Sequence, residues 1–213
     1  MPPRAARSLC AAIFLAMACC GTSGGRRERT SEETATTKRT GGRTSASSVA
    51  SPKRGYRAYE MAGFSVLVNE AVFEHPAESK ELLARLPTQL EEASTLLGSK
   101  IVDPLRTVRV WVEWVSHDTQ RVRGPAEFHR SRTWLAENGY DPDKERSVEI
   151  STTAGFLAAS ASNQPNLLLH ELVHAYDEIV LGRTDPEVAR AFASAESSGR
   201  YASVARVGDQ DRK

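Results

Sequence analysis

The chain has 213 residues, a formal net charge of +1 and 40% hydrophobic residues. This length accommodates one domain with a hydrophobic core plus extensions, and the near-neutral charge predicts no nucleic-acid partner. The three cysteines, Cys10, Cys19 and Cys20, all lie in the first twenty residues. The rest of the chain therefore has neither an internal disulfide nor a cysteine metal site, so any metal must be bound by His, Asp or Glu.

Residues 1–19 have the features of an export signal. Arg4 and Arg7 precede the apolar stretch 9–18, which is too short to span a bilayer as a mature helix. Ala16–Ala18 is an A-x-A signal-peptidase site, and the same place also resembles a loose lipobox that ends at Cys19, with Ala where Leu is usual. We expect an exported protein, either periplasmic or secreted, or lipid-anchored to the cell envelope through Cys19.

Residues 20–60 are predicted to form a disordered linker. The stretch is rich in Ser, Thr, Gly, Arg and Lys and has almost no large apolar residue, so it cannot bury a core. If Cys19 is lipidated, this linker is the tether between the anchor and the globular part, residues 61–213.

The first half of the globular part shows two strand patterns and one long helix. Phe64–Val68 alternates as a strand does, and Thr107–Val115 alternates more clearly. Trp111 is expected to pack under a loop, and the alternative is that it lines a substrate groove. Between them, residues 76–97 repeat apolar side chains at spacings of three and four, which predicts a helix that Pro87 kinks or splits and that Gly98 ends.

The second half begins with a polar, arginine-rich loop, residues 117–132, in which His129 is expected at the surface. A short helix at 134–139, a strand at Ser147–Ser151 and a helix at 155–161 follow. Asp185 followed by a proline is typical of a helix start, so a last helix is expected from there to residue 199.

Residues 168–177 contain an H-E-x-x-H motif in an apolar run predicted to be helical, from a break at 163–165 to Gly182. Residues four apart share a helix face, so His170 and His174 can point at one metal ion. Glu171 lies over the same site and can take a proton from a zinc-bound water, as the general base of peptide hydrolysis. The alternative interpretation is a buried helix with two incidental histidines.

The order of strand, helix, strand, strand and motif helix is that of a zincin N-terminal lobe. We therefore expect an α+β fold, a zincin-like metallopeptidase lobe with a small mixed sheet and an HExxH active-site helix. In such a lobe the strand before the motif helix lies at the sheet edge and pairs with extended substrate, which assigns that role to Val148–Ile150.

The chain from about Gly63 onward resembles a family of exported bacterial zincin-like metallopeptidases of the gluzincin type, distantly similar to the anthrax lethal factor protease domain. Only the HExxH motif is specific for chemistry; the other matching stretches mark the fold. The resemblance implies that His170 and His174 bind Zn²⁺, that Glu171 is the catalytic base and that the substrate is a peptide or protein. The matching stretches are Gly63–Val68, Val110–Glu113, Asn138–Lys144, Val148–Ile150, His170–Tyr176, Leu181–Gly182, Asp185–Pro186 and Ser198–Tyr201.

The resemblance also implies a third zinc ligand, a Glu on a helix well downstream, preceded by a Tyr that steadies the oxyanion. The sequence matches neither, and Tyr201 corresponds to an earlier family Tyr, so we expect the domain to be incomplete at its C-terminus. Glu196 lies at roughly the spacing of a thermolysin-type third ligand and is a weak candidate. Asp177 is too close to complete a tetrahedral site and is better suited to orient an imidazole.

Two functions of different classes follow from this sequence. The first is zinc-dependent peptide-bond hydrolysis by an exported metallopeptidase-like protein. The alternative is a catalytically inactive zincin-fold binding module, or a truncated remnant, that lacks the third zinc ligand. The sequence identifies no specificity pocket and no substrate.

Overall fold

The computed structural model describes residues 53–115, 124–161, 166–182 and 184–199. The predictions made for the export signal and for Tyr201 fall outside these residues, as do those for most of the linker and for the break at 163–165. The predicted polar loop is described only from residue 124 onward.

Five strands form one mixed sheet in the order β1-β2-β3-β5-β4. Strands β2, β3 and β5 are parallel, and β1 and β4 pair antiparallel with their neighbours at the two edges of the sheet. With the helices below, this confirms the α+β class and the small mixed sheet. The strands are β1 (Tyr56–Met61), β2 (Phe64–Asn69), β3 (Val110–Val112), β4 (Ala126–His129) and β5 (Ser147–Ile150).

Helices connect the strands and cover one face of the sheet. Gly98, at φ 72°, separates the first two helices, which agrees with the predicted stop. The fifth helix carries the HExxH motif and continues into a wider π-helical turn at Asp177–Leu181 before Gly182. The helices are α1 (Pro76–Leu97), α2 (Ser99–Leu105), α3 (Arg132–Glu137), α4 (Thr153–Ser160), α5 (Leu167–Tyr176) and α6 (Pro186–Ser198); short 3₁₀ turns lie at Glu70–Glu74 and Pro142–Lys144.

The core lies between the sheet and the helices α1 and α5. Apolar side chains on one face of β2, β3, β4 and β5 meet the predicted apolar stripe of α1, and each fully buried side chain of this size contributes about 1.5–3 kcal/mol. Pro87 does not split α1, which runs unbroken from Pro76 to Leu97. The core includes Phe64, Val66, Val68, Leu82, Leu86, Leu90, Val110, Val112, Phe128, Val148, Ile150, Leu168 and Leu172.

Two strands lie where the sequence predicted irregular structure. Strand β1 begins at Tyr56, within the predicted linker, and its apolar pattern is weak because none of its side chains is fully buried. Strand β4 replaces the end of the predicted polar loop, because its four residues pair antiparallel with β5. The loop assignment was therefore wrong for Ala126–His129.

The predicted sheet edge was also wrong. The strand at Ser147–Ile150 exists, but it lies between β3 and β4, so the edge next to the motif helix is β4. Strand Thr107–Val115 is shorter than predicted, at Val110–Val112, although Trp111 is fully buried as expected.

Among the residues whose placement is described, no helix combines the length and the apolar character needed to cross a membrane.

Candidate metal centre

Helix α5, which carries the motif, begins at a side-chain cap. The Asn166 side chain accepts a hydrogen bond from the Leu169 N–H at 2.8 Å, which satisfies one of the free donors of the first turn. The buried side of α5 then contacts α1, α2, β4 and β5. The histidines lie at the margin of this buried face and are partly buried.

His170 and His174 come together as the motif spacing predicts. Their Nε2 atoms lie 3.1 Å apart, and the ring centroids are 4.8 Å apart with the planes at 72°. Two imidazole nitrogens on one tetrahedral zinc, each at about 2.0–2.1 Å, would be roughly 3.3 Å apart. The two side chains therefore converge at nearly the separation that a shared metal ion requires.

Both imidazoles are held in the neutral form that binds metal. Burial lowers the pKa of His174 to about 4, and the nearby charges of His170 and Arg130 act in the same direction. Burial also lowers the pKa of His170. At neutral pH each ring therefore has a nitrogen lone pair available for a cation.

Glu171 lies against the sheet and is 6% exposed. Its Oε2 accepts a hydrogen bond from the Phe128 backbone N–H at 2.7 Å, and its Oε1 lies 3.9 Å from His170 Nε2. Burial raises the pKa of Glu171 to about 8, although the Phe128 hydrogen bond lowers it. In the metal-free protein the carboxyl is therefore mostly protonated at neutral pH, and it becomes a proton acceptor as pH rises through about 8 or when a cation beside it lowers its pKa.

The contact with Phe128 follows from the geometry of β4. At one end of the β4–β5 pair, the Ser151 N–H donates to the Pro125 C=O. In an antiparallel pair only every second residue hydrogen-bonds to the partner strand. Phe128, which lies opposite Val148, is one of the residues whose N–H does not bond to β5. The Phe128 N–H therefore points away from β5 and meets Glu171. Beyond β4, Arg130 Nε lies 3.7 Å from Glu178 Oε2, which joins β4 to the turn after α5.

The described residues supply two candidate metal ligands, His170 and His174, and no third. No group of three or more His, Cys, Asp or Glu side chains that could hold a metal ion occurs within residues 53–115, 124–161, 166–182 and 184–199. Glu196 lies exposed on α6, and Asp177 is half-buried at the C-terminal end of α5. The imidazole pair fits a zinc ion, but neither acidic residue forms a three-ligand group with it.

The structure corrects the prediction for His129. It is 3% exposed, not at the surface, and its Nε2 lies 2.5 Å from Glu149 Oε2 on the sheet face opposite the apolar core. Lys144 Nζ bridges Glu149 at 2.6 Å and Glu113 at 2.7 Å. Sequence reasoning missed this buried network, although acidic residues inside two apolar strands were a visible signal of it.

Comparison of the chain with protein-family models, with curated proteins and with solved structures gives no match. The interpretation of the site therefore depends on the geometry above.

Proposed function

We propose that this protein is a zinc-dependent peptide hydrolase on a zincin-like lobe, with His170 and His174 as zinc ligands and Glu171 as the general base. The observation that carries the proposal is the convergence of two neutral imidazoles, 3.1 Å apart, beside a buried carboxyl on the same helix turn. This combination supplies a metal-binding pair and a proton acceptor within one site.

The two oxygens of Glu171 have different surroundings. Oε2 is held by the Phe128 N–H, and Oε1 faces the histidine pair at 3.9 Å from His170 Nε2. Bound zinc would supply Lewis-acid polarisation of the scissile carbonyl and acidify a nearby water. Oε1 would accept the proton of that water and then donate it to the departing amine nitrogen, so the carboxylate is regenerated.

The position of strand β4 favours a peptide over a small molecule as the substrate. Among the described strands, β4 is the sheet edge next to α5, and an edge strand is the element to which an extended peptide can add. An extended peptide along β4 would pass next to the histidine pair. The proposal retains the sequence-based expectation that the protein is exported and meets its substrates outside the cytoplasm.

A second candidate function is a non-catalytic binding module. The observation that favours it is the lack of a third protein ligand among the described residues, since two imidazoles alone bind zinc weakly. Such a module would use the same β4 edge to hold a peptide without cleaving it.

A hydrolysis assay separates the two functions. The full chain, supplied with Zn²⁺, is incubated with a mixed library of fluorescence-quenched peptides, beside Glu171→Gln and the control His75→Ala, whose ring stacks on Trp114. We expect cleavage that Glu171→Gln lowers by about 10²–10⁴-fold, with zinc retained, and that His75→Ala leaves unchanged. Cleavage unaffected by Glu171→Gln rules out the proposed base, and peptide binding without cleavage supports the binding module.

A further inference from the structure

A buried polar network lies on the sheet face opposite the apolar core. Glu113 accepts hydrogen bonds from Tyr56 at 2.6 Å, from Asn69 at 2.8 Å and from Lys144 at 2.7 Å. Lys144 also donates to Glu149, which in turn contacts His129. The network thus joins β1, β2, β3, β5 and β4 across the whole width of the sheet.

Glu149 remains in its charged form although it is buried in this network. Burial alone would raise the pKa of Glu149, but the His129 hydrogen bond and the Lys144 charge outweigh it and lower that pKa below its ordinary value. Glu149 is fully buried, and His129, Lys144 and Glu113 are each at most 5% exposed. A well-packed apolar cluster of similar volume often gives equal stability, so stability alone is a weak reason for a buried ionic network at this place.

His129 is the only point at which the described part of this network reaches β4. It is next to Phe128, whose side chain enters the core and whose N–H holds Glu171. Strand β4 has four residues and one paired edge, and its register depends on the ladder with β5, on Ala126 and Phe128 in the core, and on the contact of His129 on the opposite face. A slip by one residue would exchange its faces and carry the Phe128 N–H away from Glu171.

We propose that His129 is a positioning residue for Glu171. Its contact with Glu149, itself tied through Lys144 to Glu113 at the end of the central strand β3, locks β4 in the register that presents the Phe128 N–H to Glu171 Oε2. The other oxygen, Oε1, is thereby left facing the histidine pair. A role of this arrangement in catalysis rests on the proposed function, whereas the effect of His129 on the Phe128–Glu171 hydrogen bond does not.

The test is amide hydrogen exchange, followed by NMR on the full chain in the metal-free state. In His129→Asn the side chain is polar but too short to reach Glu149. In His129→Gln the side chain is longer, and its amide NH₂ can replace the imidazole Nε2 as the donor to Glu149. The internal reference is the Val148 N–H, which bonds to the Arg109 C=O on the β3 side at 2.9 Å. Tyr56→Phe removes a hydrogen bond at the other end of the network and serves as the control variant.

We expect His129→Asn to speed exchange of the Phe128 N–H by about tenfold or more relative to Val148, and His129→Gln and Tyr56→Phe to stay within about threefold of wild type. An unchanged ratio in His129→Asn, or a Gln variant as fast as the Asn variant, would overturn the proposal. Zinc content is measured on the same proteins. Because hydrogen exchange is measured in the metal-free protein, it reports on the Phe128–Glu171 contact whether or not the protein binds zinc.

Discussion

At the scale of single residues, the candidate centre places a carboxyl in surroundings that oppose its charge. Glu171 is buried, and one hydrogen bond from a backbone N–H is its main compensation in the described structure. The histidines beside it are also shifted towards their neutral forms. The charged forms of all three groups are therefore less stable here than in water. Such shifts are typical of functional sites, and they cost folding stability.

Replacement of Glu171 by Gln should stabilise the metal-free protein at alkaline pH. With a folded-state pKa of about 8, Glu171 contributes stability that is complete below its unfolded pKa, near 4.5, and is lost as pH rises through 8. His174, with a pKa of about 4, acts in the opposite direction below pH 6.5, so the loss is clearest between pH 6.5 and 9. We expect wild type to lose on the order of 1–3 kcal/mol over this range and Glu171→Gln to lose little.

Urea unfolding with a chelator present, at pH 6.5 and pH 9, measures this difference. Glu171→Gln keeps an acceptor for the Phe128 N–H, so the comparison isolates the charge. An equal decline in both proteins would show that Glu171 is not the group that titrates.

At the scale of elements, the site depends on how α5 starts and on which strand it packs against. The helix begins at a side-chain cap and places the motif in its second turn, beside the edge strand β4. The Asn166 side chain also donates to Gln89 C=O on α1 at 3.3 Å, so the same residue fixes the helix to the core. Asn166, one helical turn before His170, thus helps to set the orientation of the histidine pair.

Loss of this cap should weaken the helix. Asn166→Ala removes the acceptor for the Leu169 N–H and should lower the free energy of unfolding by about 1 kcal/mol. Asn166→Ser also loses the donation to Gln89 C=O but retains a capping oxygen, so it should cost less than Asn166→Ala. Urea denaturation of both variants checks the prediction, and equal losses in the two would show that the capping oxygen is unimportant.

At the scale of the whole molecule, the sheet has two unlike faces. One carries the apolar core under α1 and α5, and the other carries the ionic network centred on Lys144. Because Lys144 is the shared donor to two buried carboxylates, the network depends on it more than on any single acidic member.

Lys144→Met should be strongly destabilising. Its removal leaves Glu113 and Glu149 buried without their common cation, a change that typically costs about 3–5 kcal/mol. The matched control is Lys100→Met on the exposed side of α2, which should stay within about 0.5 kcal/mol of wild type. Denaturant unfolding compares the two, and similar small losses in both would mean that the network contributes little.

Local sequence signals predicted the parts of the fold in which one face is buried. The alternation at Phe64–Val68 and the spacing on α1 follow directly from contact with the core, and Asp185 marks the start of α6. The motif alone predicted that His170 and His174 would converge, because four residues make about one helical turn.

The remaining features depend on contacts between distant segments, which local patterns do not encode. Strand β4 is four residues long in a polar stretch and exists because β5 pairs with it. The contact of Glu171 with Phe128 spans 43 positions, and that of Lys144 with Glu113 spans 31. His129 was therefore assigned to the surface, since its partner lies on another strand.

The central claim is that the histidine pair binds zinc, and zinc content tests it most directly. The full chain is purified, equilibrated with a zinc buffer and analysed beside His170→Ala and His174→Ala. We expect about one zinc bound per wild-type chain in the zinc buffer, lost in either variant. Wild-type protein with no more zinc than the two variants would contradict it.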